Sequence, residues 1–181
     1  MWYMWWQPAP VIDDNRVMKI LGNVIIYQTI WLFAVLGGDN YAYLGLLLLI
    51  VHLMFSPVRG DDLRMMGFLL FTGLLVDGTL HQIGFISFTE TGFPIPHWLM
   101  IIWLGLAITP HHSLAWLKNR PLLSLFFGAL GGPAAYWAGS RLGAATFNWG
   151  LLPSLLILAL IWAFLWPAVM YFSVVSKKLT E

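Results

Sequence analysis

The chain alternates between long apolar runs and short polar connections. Most of the runs are close to the ~20 helical residues that cross a hydrocarbon core of ~30 Å, and the breaks between them contain glycine, proline and charged residues. This pattern predicts an all-α polytopic membrane protein, a bundle of six transmembrane helices. The predicted helices cover residues 20–37, 41–56, 65–88, 97–117, 122–141 and 151–175.

The segments on either side of this transmembrane domain, residues 18–176, have a different composition. Residues 1–17 begin with four aromatic side chains among the first six and continue with two prolines and two acids. Trp and Tyr favour the membrane–water interface, so an interfacial arm is predicted here. Because Met18 directly precedes the first apolar run, translation from Met18 is an alternative to translation from Met1. Residues 177–181 are a predicted cytoplasmic tail.

The basic residues are concentrated on one side of the predicted bundle. Of nine Lys and Arg residues, only Arg141 falls on the other side. The remaining basic residues flank the first or last helix or lie in the second and fourth connections: Arg16, Lys19, Arg59, Arg64, Lys118, Arg120, Lys177 and Lys178. Cytoplasmic loops carry an excess of Lys and Arg. Both termini of this multi-pass protein are therefore predicted to be cytoplasmic.

The composition removes several classes of function. With 60% hydrophobic and 9% charged residues, the chain is far from the roughly 25% charged residues of soluble domains. The absence of cysteine excludes disulfides, thiolate metal sites and cysteine nucleophiles. A net charge of +1 with dispersed basic residues predicts no nucleic-acid surface. Membrane lipid is the expected partner, whereas enzymatic activity and any cofactor are left open.

The third predicted helix carries an acid and a base in its apolar run. Asp77 lies near the middle, and His81 follows four residues later on the same face. An ionisable group at this depth is costly unless it faces protein or a water-filled cavity, so the other helices are predicted to surround this one. In one interpretation Asp77 is a proton acceptor or a cation site, and Asp77 and His81 act as catalytic residues or a proton relay. In the other, Asp77 is a packing carboxyl, protonated or hydrogen-bonded to Thr72, Gln28 or a backbone carbonyl, and His81 is only oriented by a hydrogen bond.

Further candidate binding residues are predicted at the level of Asp77. Gln28 lies near the middle of the first helix, and Arg141 at the end of the fifth suits a phosphate or carboxylate headgroup through a bidentate contact. Trp103, Tyr136 and Trp137 are predicted to shape the site for an apolar chain. Most of the 11 tryptophans lie near helix ends, where an aromatic belt explains them. The tryptophans further in are the candidates to line a pocket: Trp31, Trp103, Trp137 and Trp162.

Histidines near the opposite helix ends are weaker candidates for chemistry. His52 and His112 are possible metal ligands at one depth. His111 and His112 are adjacent, however, and point about 100° apart on a helix, so they do not both face one metal. The HExxH spacing of zinc proteases is also absent. The sequence therefore predicts no metal site.

The fifth predicted helix is rich in glycine, with Gly128 and Gly132 spaced four residues apart. Such small-xxx-small patterns allow two helix backbones to approach closely. Packing within the chain is the favoured explanation. A surface for a second copy or for another membrane protein is the alternative.

Four stretches of sequence carry a family resemblance. They are Leu75–Asp77, Pro96–Trp98, His112–Leu117 and the glycine-rich stretch Gly128–Ala144. Together they resemble the bacterial membrane family catalogued as domain of unknown function 2878, over about residues 18–172. The resemblance implies a multi-pass protein of a bacterial inner membrane, with an association with fatty-acyl-chain modification and with light or singlet-oxygen stress. The expected function is lipid-related, with acyl or isoprenoid chain binding or modification; the alternatives are a non-catalytic scaffold and a proton-coupled transporter.

Overall fold

The computed structural model describes residues 14–178, with side chains described up to Ser176. The helices in this range are α1 (Asp14–Gly37), α2 (Asp39–Phe55), α3 (Arg59–Gln82), α4 (His97–Ala107), α5 (Pro121–Arg141) and α6 (Leu151–Lys178). Two short strands, β1 (Ile86–Phe88) and β2 (Ala145–Phe147), and one 3₁₀ turn (Ala115–Leu117) connect them. The prediction of an all-α chain with six helices is confirmed. Residues 1–13 of the predicted arm and 179–181 of the predicted tail lie outside the described range.

Four of these helices are long and apolar enough to cross a membrane: α1, α3, α5 and α6. The other two are apolar but shorter, with 17 residues in α2 and 11 in α4. At ~1.5 Å per residue, α4 is only about 16 Å long. Hydrophobicity alone therefore supports four membrane spans within residues 14–178.

The fourth predicted helix ends early, because the chain leaves helical geometry before Pro110. Proline has no N–H to donate and disfavours helical geometry at the preceding residue, and α4 ends at Ala107. Asn23 of α1, itself 4% exposed, satisfies the freed backbone groups. Its amide donates to the Ile108 carbonyl at 3.0 Å and its oxygen accepts from the Ser113 N–H at 3.2 Å. One polar side chain thus holds the irregular segment after α4.

Helices α3 and α5 share one kind of C-terminal end, which differs from that of α4. Gly84 (φ +69°) and Gly143 (φ +85°) adopt the left-handed conformation that stops a helix in a Schellman motif. The closing bonds run from Gly84 N–H to His81 O (3.0 Å), Phe85 N–H to Leu80 O (2.9 Å), Gly143 N–H to Ser140 O (3.2 Å) and Ala144 N–H to Gly139 O (3.0 Å). As a result α3 ends at Gln82 rather than at the predicted residue 88.

Each of these glycines leads directly into a strand, and the two strands pair. β1 and β2 are antiparallel, with Ser87 opposite Thr146. Ser87 and Thr146 stand at the same spacing, three residues, after Gly84 and Gly143. The pairing therefore holds the ends of α3 and α5 at the same level.

The helices pack in two groups. In the first, α4 contacts α1, α2 and α3, and α1 contacts α2. In the second, α5 packs along α6. Contacts between α3 and α6 and the pairing of the two strands join the groups. The space left between them is the cavity described next.

Candidate functional site

A cavity of about 490 Å³ lies between the two helix groups. Residues of α1, α3, α4, α5, α6 and both strands line it, and we refer to them as the cavity wall. Most of the wall is aliphatic, aromatic or glycine. The volume falls in the ~300–1,000 Å³ range of small-molecule sites, which combine an apolar lining with a few placed polar groups.

The principal polar group of the wall is the carboxylate of Asp77, which is 0% exposed. The Trp103 indole N–H donates to its Oδ2 at 2.7 Å. The Tyr136 hydroxyl donates to its Oδ1 at 2.5 Å. An ionised carboxylate offers about four acceptor positions, so these two bonds leave capacity to accept from a ligand. Donors from α4 and α5 thus fix the orientation of an acid on α3.

The Schellman ends of the two helices explain why Asp77 meets Tyr136. Asp77 stands seven residues before Gly84, and Tyr136 stands seven residues before Gly143. Because paired strands hold both helix ends at one level, residues at the same distance from the two glycines lie at the same depth. The contact is therefore set by the closing sheet as well as by the helices.

Two buried indole N–H groups of the wall, those of Trp162 and Trp166, make no well-aligned hydrogen bond to the described residues, although that of Trp162 lies near the Tyr136 hydroxyl. Trp166 is 2% exposed and Trp162 is 8% exposed, and the Nε1 atoms of both lack a partner of acceptable geometry. The Trp162 ring stacks on Trp103, with centroids 5.5 Å apart and planes at 13°. Buried polar groups are normally satisfied, so these two N–H groups are exceptions in the cavity wall.

The family model described as "Protein of unknown function (DUF2878)" matches residues 20–168. The chain belongs to this family. The suspected DUF2878 resemblance is thereby confirmed, and the match includes the whole cavity wall from Tyr27 to Trp166. No curated protein and no solved structure matches this DUF2878 protein.

Several residues singled out in the sequence lie in the wall of this DUF2878 protein: Gln28, Asp77, Trp103, Tyr136, Trp31 and Trp162. Gln28 is exposed and therefore stands at an edge of the cavity. The hydrogen-bond partners of Asp77 are not those considered from the sequence, because Thr72 donates instead to the Phe68 carbonyl at 2.8 Å.

Other candidates lie outside the cavity wall. His81 does not pair with Asp77, and its Nδ1 lies 3.1 Å from the Ile86 carbonyl oxygen. Arg141 is exposed at the end of α5, and Trp137 is 46% exposed on the outer face of the same helix. His52 and His112 lie at the opposite end of the bundle, beside the turn between α2 and α3.

The tryptophans near predicted helix ends, for which the sequence predicts an aromatic belt, include Trp98 and Trp166. Trp98 and Trp166 are in fact 4% and 2% exposed and line the cavity. Position near a helix end misled the assignment of Trp166. Its spacing of four residues from Trp162 was the available signal, because residues four apart share one helix face.

Gly128 and Gly132 of α5 lie against this tryptophan face. A Cβ at Gly132 would lie 2.2 Å from the Trp162 ring, and one at Gly128 would lie 2.2 Å from the Trp162 carbonyl oxygen. Both glycines are buried within the chain. Their role in a second copy or a partner protein stays a prediction.

Proposed function

We propose that this protein binds a membrane lipid in its cavity, with an acyl or isoprenoid chain among the aromatic rings and a polar end group at Asp77. The observation that carries the proposal is a fully buried carboxylate in the wall of a 490 Å³ apolar cavity. Intramembrane acids are costly and mark functional sites by default. A ligand that is apolar along its length and polar at one end matches both parts of this wall.

The position of the cavity's edge supports entry from the lipid phase. α1 and α5 both contribute to the wall, yet these two helices do not pack closely against each other. The wall residues Gln28 of α1 and Gly131 of α5 are exposed. Beside them on α5 stand Leu130, 73% exposed, and Phe127, 40% exposed. A lipid chain therefore has an apolar path between α1 and α5.

The free hydrogen-bonding groups define the end group. Asp77 retains acceptor capacity, and the indole N–H groups of Trp162 and Trp166 lack a well-aligned acceptor. A hydroxyl, which donates and accepts, satisfies both. Since His81 and Arg141 lie outside the wall, Asp77 has a binding role in this proposal and no acid–base partner.

The proposed topology is six crossings with both termini cytoplasmic, in a bacterial inner membrane. The charge bias of the connections supports it, because Arg59, Arg64, Lys118 and Arg120 all lie at the end of the bundle away from the sheet. In this arrangement α4 and the irregular segment after it together complete one crossing.

Gly139 gives a direct test of lipid binding. It is buried in the wall, and a Cβ added there meets no heavy atom within 4 Å, so a larger side chain extends into the cavity. Gly139→Leu is expected to lower the amount of co-purified lipid by roughly 5–150-fold, the equivalent of a 1–3 kcal/mol steric cost. Mass spectrometry of lipid extracted from the purified protein measures the change.

Gly67→Leu is the matched control, because Gly67 is exposed on α3 and a Cβ there also meets nothing within 4 Å. This variant is expected to retain its lipid. Equal lipid content in wild type, Gly139→Leu and Gly67→Leu, all monodisperse in detergent, would overturn the proposal. Asp77→Asn then tests the end group, since it keeps the size of the side chain but removes a carboxylate oxygen.

A further inference from the structure

Two histidines and an aspartate from three different elements meet at the end of the bundle away from the sheet. His52 lies in the last turn of α2, Asp62 in the first turn of α3 and His112 in the irregular segment after α4. The Nε2 atoms of His52 and His112 lie 3.3 Å and 3.1 Å from Asp62 Oδ2. The Asp62 side chain is 0% exposed, and those of His52 and His112 are 8% and 16% exposed.

We propose that His52, Asp62 and His112, the histidine cluster, bind a divalent transition-metal cation such as Zn²⁺. Imidazole nitrogen and carboxylate oxygen are zinc ligands, and bonds of ~2.0–2.2 Å place two ligand atoms of a tetrahedral site roughly 3.3–3.6 Å apart. The two nitrogen-to-oxygen separations are close to this value, whereas the three ligand atoms spread over up to 4.8 Å, so the two imidazoles have to approach each other by about 1 Å to bind one ion. Three protein ligands leave a fourth position for water or another ligand.

The contacts around Asp62 fit a metal ligand. The Nε2 atoms of His52 and His112 both lie within hydrogen-bond distance of Asp62 Oδ2. The Ser56 hydroxyl donates to the same oxygen at 2.5 Å. His112 Nε2 also lies 3.2 Å from Asp62 Oδ1, so without a cation its N–H is shared between the two carboxylate oxygens while His52 and Ser56 donate to Oδ2. With a cation, the imidazoles present lone pairs to the metal, and Ser56 becomes the outer hydrogen bond that orients a ligating carboxylate.

The surrounding backbone holds the histidine cluster in place without a metal. Arg59 closes the turn between α2 and α3 by donating to the carbonyls of Leu53 at 2.6 Å and Met54 at 2.9 Å. Asn23 binds Ser113, the residue after His112, through both the N–H and the hydroxyl. The three ligands are therefore positioned by the fold.

This site is separate from the lipid cavity. Asp62 and Asp77 are both on α3, and at ~1.5 Å per residue they lie about 22 Å apart. None of the three ligands is in the cavity wall. Metal binding and lipid binding can therefore fail independently, and the metal proposal does not rest on the proposed function.

Metal titration of the full-length protein tests the histidine cluster. The protein is purified in detergent through a tag without histidine, treated with chelator and titrated with Zn²⁺, with Co²⁺ as a spectroscopic probe of geometry. We expect about one ion per chain and a higher Tm for the metal-loaded protein. Asp62→Asn and the double variant His52→Asn/His112→Asn are expected to lose affinity by more than the ~10–100-fold that loss of an outer-shell partner costs.

The chain provides its own controls. His97→Asn removes a histidine at the opposite end of the bundle, where His97 lies 3.0 Å from Asp39, and is expected to leave Zn²⁺ affinity unchanged. Ser56→Ala leaves all three ligands in place and is expected to reduce affinity by ~10–100-fold. If the ligand variants fail to fold, the Zn²⁺ affinity of Ser56→Ala and the Zn²⁺-dependent Tm of wild type still test whether the histidine cluster binds the ion. Wild type without Zn²⁺ binding, or a folded double variant with unchanged affinity, would overturn the proposal.

Discussion

Gly128→Val is expected to disrupt the packing of α5 against α6, and it is one of the two most destabilising substitutions proposed for this protein. A Cβ at position 128 would lie 2.2 Å from the Trp162 carbonyl oxygen and 2.7 Å from Trp166 Cβ. Neither is the end of a flexible side chain, so the two helices have to separate. Overpacking costs ~1–3 kcal/mol and occasionally more, and here we expect about 3 kcal/mol or more. Reversible unfolding in mixed micelles, followed by tryptophan fluorescence, measures the free energy of unfolding.

Gly131→Val is the matched control for this prediction. Gly131 lies on the same helix, but it is exposed and the nearest atom to an added Cβ is 4.0 Å away, in Phe127. Both substitutions change helix propensity by the same amount, so their difference isolates the steric contact with α6. If Gly128→Val were as stable as Gly131→Val, the close packing of α5 on α6 would be wrong.

Asp77→Leu is expected to lower the free energy of unfolding by about 2–6 kcal/mol, because it leaves two buried donors without an acceptor. Each unpaired donor costs about 1–3 kcal/mol, and Trp103 Nε1 and the Tyr136 hydroxyl both bond Asp77. The double variant Trp103→Phe/Tyr136→Phe is also expected to be destabilised, since it leaves a fully buried carboxylate without donors.

Combining the changes gives a double-mutant cycle. Asp77→Leu/Trp103→Phe/Tyr136→Phe is expected to lose less stability than the sum of the two parents, because replacing all partners of a buried polar network with apolar groups is nearly neutral. Additive losses would show that the three side chains do not form one network. The triple variant is also informative for function, since it is expected to fold and yet lose the proposed polar contact with lipid.

The third helix illustrates how far sequence reasoning reached. An acid in the middle of an apolar run had to be enclosed, and Asp77 is 0% exposed. The sequence places His81 on the same helix face as Asp77, but the two side chains do not pair. A spacing of four residues allows such a pair to form and does not require it. The Schellman turn at Gly84 places His81 in the last turn of α3, where it lies beside the Ile86 carbonyl. Whether a local pair forms depends on what lies around each side chain.

The histidine cluster could not be predicted from the sequence because the position of Asp62 was ambiguous. His52 and His112 were considered as ligands from the sequence, but residues 57–64 were interpreted as a charged connection. Asp62 instead lies in the first turn of α3 and is 0% exposed. His111, the other half of the double histidine, lies 2.8 Å from Lys118 Nζ. Hydrophobicity cannot show that one acid of a polar stretch is folded inward, because the stretch as a whole is polar.

By itself, the sequence determined the class of this protein, its six apolar helices and the presence of a buried acid, because hydrophobicity and the cost of burying charge act locally along the chain. Only the tertiary structure decided which polar groups meet. Asp77 and Tyr136 share one depth because paired strands align the ends of α3 and α5. His52, Asp62 and His112 converge because α4 stops before Pro110 and Asn23 holds the chain that follows. Contacts between distant segments depend on how helices end and pack, and no single segment encodes that.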